Sequence, residues 1–95
     1  MFTQGRFTAE GTFLIFTLTG VSKEEFRKAL TMPQRGDKNK GYGDRYSFRR
    51  GGRVATLYER DGEFRVGAAD NDTANDLFTF LQGKFPSLQI ATRYH

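Results

Sequence analysis

Ninety-five residues without a cysteine make one domain, expected over residues 1–95, that can use neither a disulfide framework nor a thiolate metal site. A chain this short buries only about 60–65% of the surface its unfolded form exposes, so one core held by packing alone is expected. The formal net charge is +4, and residues Arg35 to Arg53 alone sum to +5 (seven basic minus two acidic), which leaves the remainder about neutral. Charge concentrated in this way suits a polyanion or an acidic protein surface.

The longest apolar run, Phe13 to Phe16, is too short to span a bilayer, and no charged start leads into an apolar signal segment. The expectation is a cytoplasmic protein with no membrane partner.

In chain order, residues 12–19 (TFLIFTLT) are β-branched and aromatic and end at Gly20, the pattern of a central strand. The preceding FTQGRFT is expected to pair with it as a short strand across Ala9, Glu10 and Gly11. Ser22 with Glu25 forms a capping box and Val21 with Phe26 a hydrophobic staple, which predicts a helix from Lys23 to about Thr31, closed by Pro33.

A Gly-rich loop, QRGDKNKGYG, follows. Gly51-Gly52 and Asp61-Gly62 then read as two-residue hairpin turns that need positive φ. These turns fix register: Arg50 opposes Arg53, Phe48 opposes Ala55, Tyr46 opposes Leu57, Arg60 opposes Glu63, Tyr58 opposes Arg65 and Leu57 opposes Val66. Alternation then sends Tyr46, Phe48, Ala55, Leu57, Phe64, Val66 and Ala68 to a core face. The other face receives Arg45, Ser47, Arg49, Val54, Thr56, Tyr58, Arg60, Glu63 and Arg65. That face is too polar to bury and should meet solvent or a partner.

Asp70 is the expected cap of a second helix carrying Ala74, Leu77, Phe78, Leu81 and Phe85 at helical spacing, with Gly83 placed to end it. Leu88 to Tyr94 reads as a last strand, pairing within its own chain or with a neighbour. The fold class is α+β: an antiparallel sheet of five to six strands with two helices packed on one face, in the order (β)β-α-βββ-α-β.

That order, and the succession from RVATLYERDGEFRVGAAD through the second helix to Pro86 and LQIATRY, resembles one repeat of the TATA-binding protein family. In that family two repeats form a saddle whose concave sheet lies on the DNA minor groove, with phenylalanines wedged between base steps. The resemblance implies that Tyr58 stands at a wedging position, that Val54, Thr56 and Arg65 face DNA, and that a saddle would need a homodimer. The double-stranded RNA-binding domain shares the helix, three-strand, helix order, but Asp70, Asp72 and Asp76 stand where that family places lysines.

The candidate nucleic-acid-binding residues are therefore Lys38, Lys40, Arg45, Arg49, Arg50, Arg53, Thr56, Tyr58 and Arg65. Arginines and lysines would hold phosphate, and Tyr58 would stack or wedge. DNA is the expected ligand ahead of RNA. The competing reading is a solvated sheet face in which Arg60 pairs with Glu63 and Arg65 stacks on Tyr58. Arg50 opposite Arg53 is a like-charge pair that an anion between them would relieve. A second functional reading is a small protein-interaction or inhibitor domain, of the kind mobile elements encode, set against an acidic protein surface. Acids in the first turn of the second helix are read as capping rather than as a metal site. His95, the single histidine, is expected to be disordered, and neither a catalytic constellation nor a cofactor is expected.

Overall fold

The computed structural model describes residues 1–94, so the expectation for His95 lies outside the described residues. Seven strands, β1 (Thr3–Gly5), β2 (Phe13–Thr19), β3 (Gln34–Arg35), β4 (Tyr42–Arg50), β5 (Arg53–Arg60), β6 (Glu63–Ala68) and β7 (Gln89–Arg93), form one antiparallel sheet. Its order is β1-β4-β5-β6-β2-β7, with β3 beside β4. The helices α1 (Lys23–Ala29) and α2 (Asn71–Lys84) complete the α+β fold.

The local signals act as the sequence requires. Glu25 N donates to Ser22 Oγ at 3.2 Å and Ser22 N to Glu25 Oε1 at 3.1 Å, closing the capping box of α1. Thr73 N donates to Asp70 Oδ1 at 2.7 Å, which caps α2. Asp61 and Gly62 both have positive φ, at 52° and 79°, and Gly51 has φ of 60°, so each turn takes a form whose twist suits a hairpin. All the cross-strand pairs that these turns predict are present, from Arg50↔Arg53 to Leu57↔Val66.

The core lies between the sheet and both helices. Phe26 of α1 sits at its centre, with ring centroids 4.7 Å from Phe64, 5.0 Å from Phe85 and 6.5 Å from Tyr46. Leu77 and Leu81 of α2 are fully buried, and Phe80 and Phe78 reach Phe48 and Phe16 edge-on. Every residue assigned to the core face from alternation is buried.

Three expectations are corrected. The N-terminal strand does not pair with β2: Thr3, Gln4 and Gly5 lie against Arg49, Phe48 and Ser47 of β4. The Gln4 amide holds it there, donating to Thr31 O and accepting from Thr31 N, both at 3.0 Å. Gly83 does not end α2, which runs on through Lys84 to a cap at Phe85. The Gly-rich stretch is not a plain loop, since it contains β3 and a single 3-10 turn, Lys38–Lys40, capped by Asp37 and closed by Gly41 at φ 84°. The last strand pairs within its own chain, Leu18↔Ile90 and Thr17↔Thr92.

The placement of β1 has a large consequence. Between β1 and β2 lie β4, β5 and β6, four inter-strand steps or about 19 Å at roughly 4.8 Å each. Residues 6–12, fully extended, reach only about 25 Å, so they must take a nearly direct path across the sheet. Both helices occupy the other side, and the crossing runs over the arginine face.

Candidate nucleic-acid interface

The register places Arg45, Tyr58, Arg65 and Thr17 in one row across β4, β5, β6 and β2 on the face away from the helices. Beyond this row β4 is bulged: Tyr42 pairs with Arg60 and Arg45 with Tyr58, so Gly43 and Asp44 together oppose Glu59. The extra residue lets both Tyr42 and Arg45 reach the same face and turns Asp44 inward, where its carboxylate meets Arg27 of α1 at 2.7 and 3.0 Å. Tyr42 and Tyr58 form a tilted ring pair with centroids 6.1 Å apart. Arg60 stacks over Tyr42 at 4.8 Å and donates to its hydroxyl at 3.3 Å.

The crossing segment covers part of this face. The Arg49 guanidinium lies 4.7 Å from the Phe7 ring centroid. A turn follows, with Thr12 N donating to Ala9 O at 3.0 Å and Thr12 Oγ1 to the same oxygen at 2.6 Å. Beneath the segment Ser47 and Thr56 are only 1% and 2% exposed, which corrects the expectation that this whole face meets solvent or a partner. What stays open is a cleft of about 460 Å³ between the crossing, β3 and the strands, walled by Ala9, Gln34, Arg35, Tyr42, Arg45 and Tyr58.

The predicted residues divide. Arg45 lines the cleft and its Nη2 donates to Gln34 Oε1 at 2.7 Å. Tyr58 is half-buried in the cleft wall; burial, with a smaller contribution from Tyr42, raises its pKa against the pull of Arg65, so it stays a neutral phenol. Thr56 is part of the cleft floor. Arg49 is exposed at the far side of the crossing, and Lys38 and Lys40 are exposed on the 3-10 turn.

Arg65 donates to Glu63 at 3.0 Å, so it is Arg65, not Arg60, that takes the Glu63 carboxylate. Arg50 is turned to the helix side, where it donates to Asp76 of α2 and stacks 5.0 Å over Phe2. Arg53 is exposed at the hairpin tip and contributes to lowering the Asp70 pKa, whose main cause is the Thr73 backbone hydrogen bond. The two arginines thus face two different acids, Arg50 the Asp76 carboxylate of α2 and Arg53 the charge of the cap Asp70, and no bound anion between them is needed.

Sequence reasoning missed Phe7, Gln34, Arg35 and Tyr42 as parts of the site. Gly43 inside a strand pattern is a bulge signal that points to Tyr42. The other three depend on β1 and β3 docking along β4, which no local motif announces. Among the described residues no three His, Cys, Asp or Glu side chains are grouped to hold a metal ion, and no helix is long and apolar enough to cross a membrane. Comparisons with family models, curated proteins and solved structures find no match to this chain.

Proposed function

We propose that this protein is a small nucleic-acid-binding module working through the cleft and its arginine rim. The carrying observation is that Arg45 and Tyr58, paired across β4 and β5, open together on one cleft, while Arg49 stands exposed on the far side of the crossing segment. Arg45 and Arg49 have no carboxylate partner among the described residues, whereas Arg27, Arg50 and Arg65 do. A cation without a carboxylate partner beside a partly exposed phenol supplies phosphate contact and base stacking together. An acidic protein surface would meet the same arginines; the cleft beside Tyr58 favours a partner that also offers a flat group to insert. All of these groups come from one chain, so the reading requires no second copy.

The test is a salt titration of binding to labelled oligonucleotides, with log affinity expected to fall against log salt by roughly 0.7–0.9 per phosphate contacted. Replacing Arg45 and Arg49 together by Ala should remove most of the binding while the far-UV circular dichroism is kept. Failure of the wild-type protein to bind any oligonucleotide at low salt rejects the proposal.

A further inference from the structure

Resting on that reading, we infer that the ligand is a single strand which inserts one unstacked base into the cleft beside Tyr58 and passes its backbone over β3. Segment 6–12 lies over Ser47, Thr56 and their neighbours, so a duplex laid flat on the sheet could not reach the row of Arg45, Tyr58 and Arg65 without displacing it. The cleft, at about 460 Å³, falls in the roughly 300–1,000 Å³ range of small-ligand sites and suits one nucleotide rather than a helix.

The Tyr58 ring is held by close packing beneath it. Gly67 lies beside the Tyr58 ring, and a Cβ there would come 3.5 Å from Tyr58 Cε1 and 3.0 Å from Thr56 Oγ1. Its lack of a side chain lets Thr56 and the Tyr58 ring pack closely on the β6 backbone, which fixes the ring in the cleft wall. Two acidic residues of the cleft lining have their carboxylates neutralised from α1, Asp44 by Arg27 at 2.7 Å and Glu59 by Lys23 at 2.9 Å. A third, Asp37, accepts from Asn39 N at 2.9 Å as the cap of the 3-10 turn. The cations left in the lining are then Arg45, held only by the neutral Gln34, and Arg35, at a long 3.9 Å from the Asp44 carboxylate that Arg27 already holds.

Gln34 and Arg35 also line a second, wider cleft on the outer side of β3, together with Arg6, Arg27, Met32 and Pro33. A strand whose base enters the first cleft would carry its neighbouring phosphates across Arg35 towards Arg6. This route gives the chain a base site and a phosphate path separated by the two residues of β3.

The experiment compares three fluorescein-labelled ligands on the wild-type protein at low salt: a short oligodeoxythymidine, its duplex with oligodeoxyadenosine, and an abasic strand of equal length. The expected result is single-strand binding at least about tenfold tighter than duplex binding, and a loss of about tenfold or more when the bases are removed. Tyr58→Leu should weaken single-strand binding by about tenfold with an unchanged salt slope, and Tyr58→Phe should bind like wild type. Duplex or abasic binding equal to that of the base-bearing strand overturns this inference while leaving the general nucleic-acid reading in place. Absence of all binding removes both.

Discussion

Arg27 of α1 donates through Nε and Nη2 to the two carboxylate oxygens of Asp44, at 2.7 and 3.0 Å, and so fastens the first helix to the bulge of β4. The Asp44 side chain is 1% exposed, and the hydrogen bond from Arg27 lowers its pKa from the ordinary 3.8 although burial pushes the other way. The bulge that this pair stabilises is also what sends Tyr42 and Arg45 to one face. A helix contact on the core side thereby sets the geometry of the cleft on the other.

Because the folded-state pKa of Asp44 is depressed, its contribution to stability is fully present above the ordinary value of 3.8 and is lost as pH falls through the lower folded value. Asp44→Asn should therefore cost about 1–3 kcal/mol at neutral pH and flatten the acid limb of the stability profile. Urea unfolding midpoints of both proteins from neutral pH down through the aspartate range will show this. Parallel profiles would mean that Asp44 does not carry the acid dependence.

Arg49 and Arg50 are neighbours in sequence with opposite expected effects. Arg50→Ala removes the Asp76 ion pair and the stacking on Phe2, and should lower stability by about 0.5–1 kcal/mol with oligonucleotide affinity unchanged. Arg49→Ala gives up only its exposed stacking on Phe7, a loss of about 0.5 kcal/mol, and should reduce the salt slope by about 0.7–0.9, the value for one phosphate. Equilibrium unfolding and salt titration of the two variants together separate a structural arginine from a binding one.

Two glycines should respond to alanine with opposite signs. Gly20 has φ of 94°, and a Cβ there would meet Ser87 O at 2.1 Å, so Gly20→Ala should lose more than about 1 kcal/mol. Gly83 lies inside α2 with open space around its Cβ position, and Gly83→Ala should gain about 0.5–1 kcal/mol. Thermal melts of both variants give the signs directly.

The Tyr46 hydroxyl is buried without a hydrogen-bond partner among the described residues, and its pKa is pushed up to about 12, by burial first and then by the Asp44 charge. In a spectrophotometric titration it should ionise near pH 12, and Tyr46→Phe should delete that step. Tyr46→Phe is also expected to be neutral or stabilising by up to about 1 kcal/mol, since the hydroxyl loses nothing on removal. Because the folded pKa is raised, the wild-type protein should lose stability as pH climbs from 10 towards 12, and the variant should lose less.

The sequence by itself determined whatever rests on interactions between residues a few positions apart. Asp61-Gly62 and Gly51-Gly52 admit few backbone conformations, so they set the registers of β4, β5 and β6 and sort Arg45 and Tyr58 from Tyr46 and Leu57. Ser22 with Glu25 and Asp70 with Thr73 start the helices for the same local reason. Only the tertiary structure decided which strand Thr3 to Gly5 would join, since a three-residue strand has too little pattern to choose between β2 and β4. That choice sends residues 6–12 across the arginine face and turns an open sheet into a cleft. The partners of the charges were settled in the same way: Arg27 with Asp44 and Arg50 with Asp76 are 17 and 26 residues apart, and they meet because helix packing brings them together. The stretch from Arg35 to Arg53 shows the result: alternation separates Arg50 from Arg45 and Arg49, but only packing gives Arg50 its Asp76 partner and sets Arg45 in the cleft and Arg49 beyond the crossing.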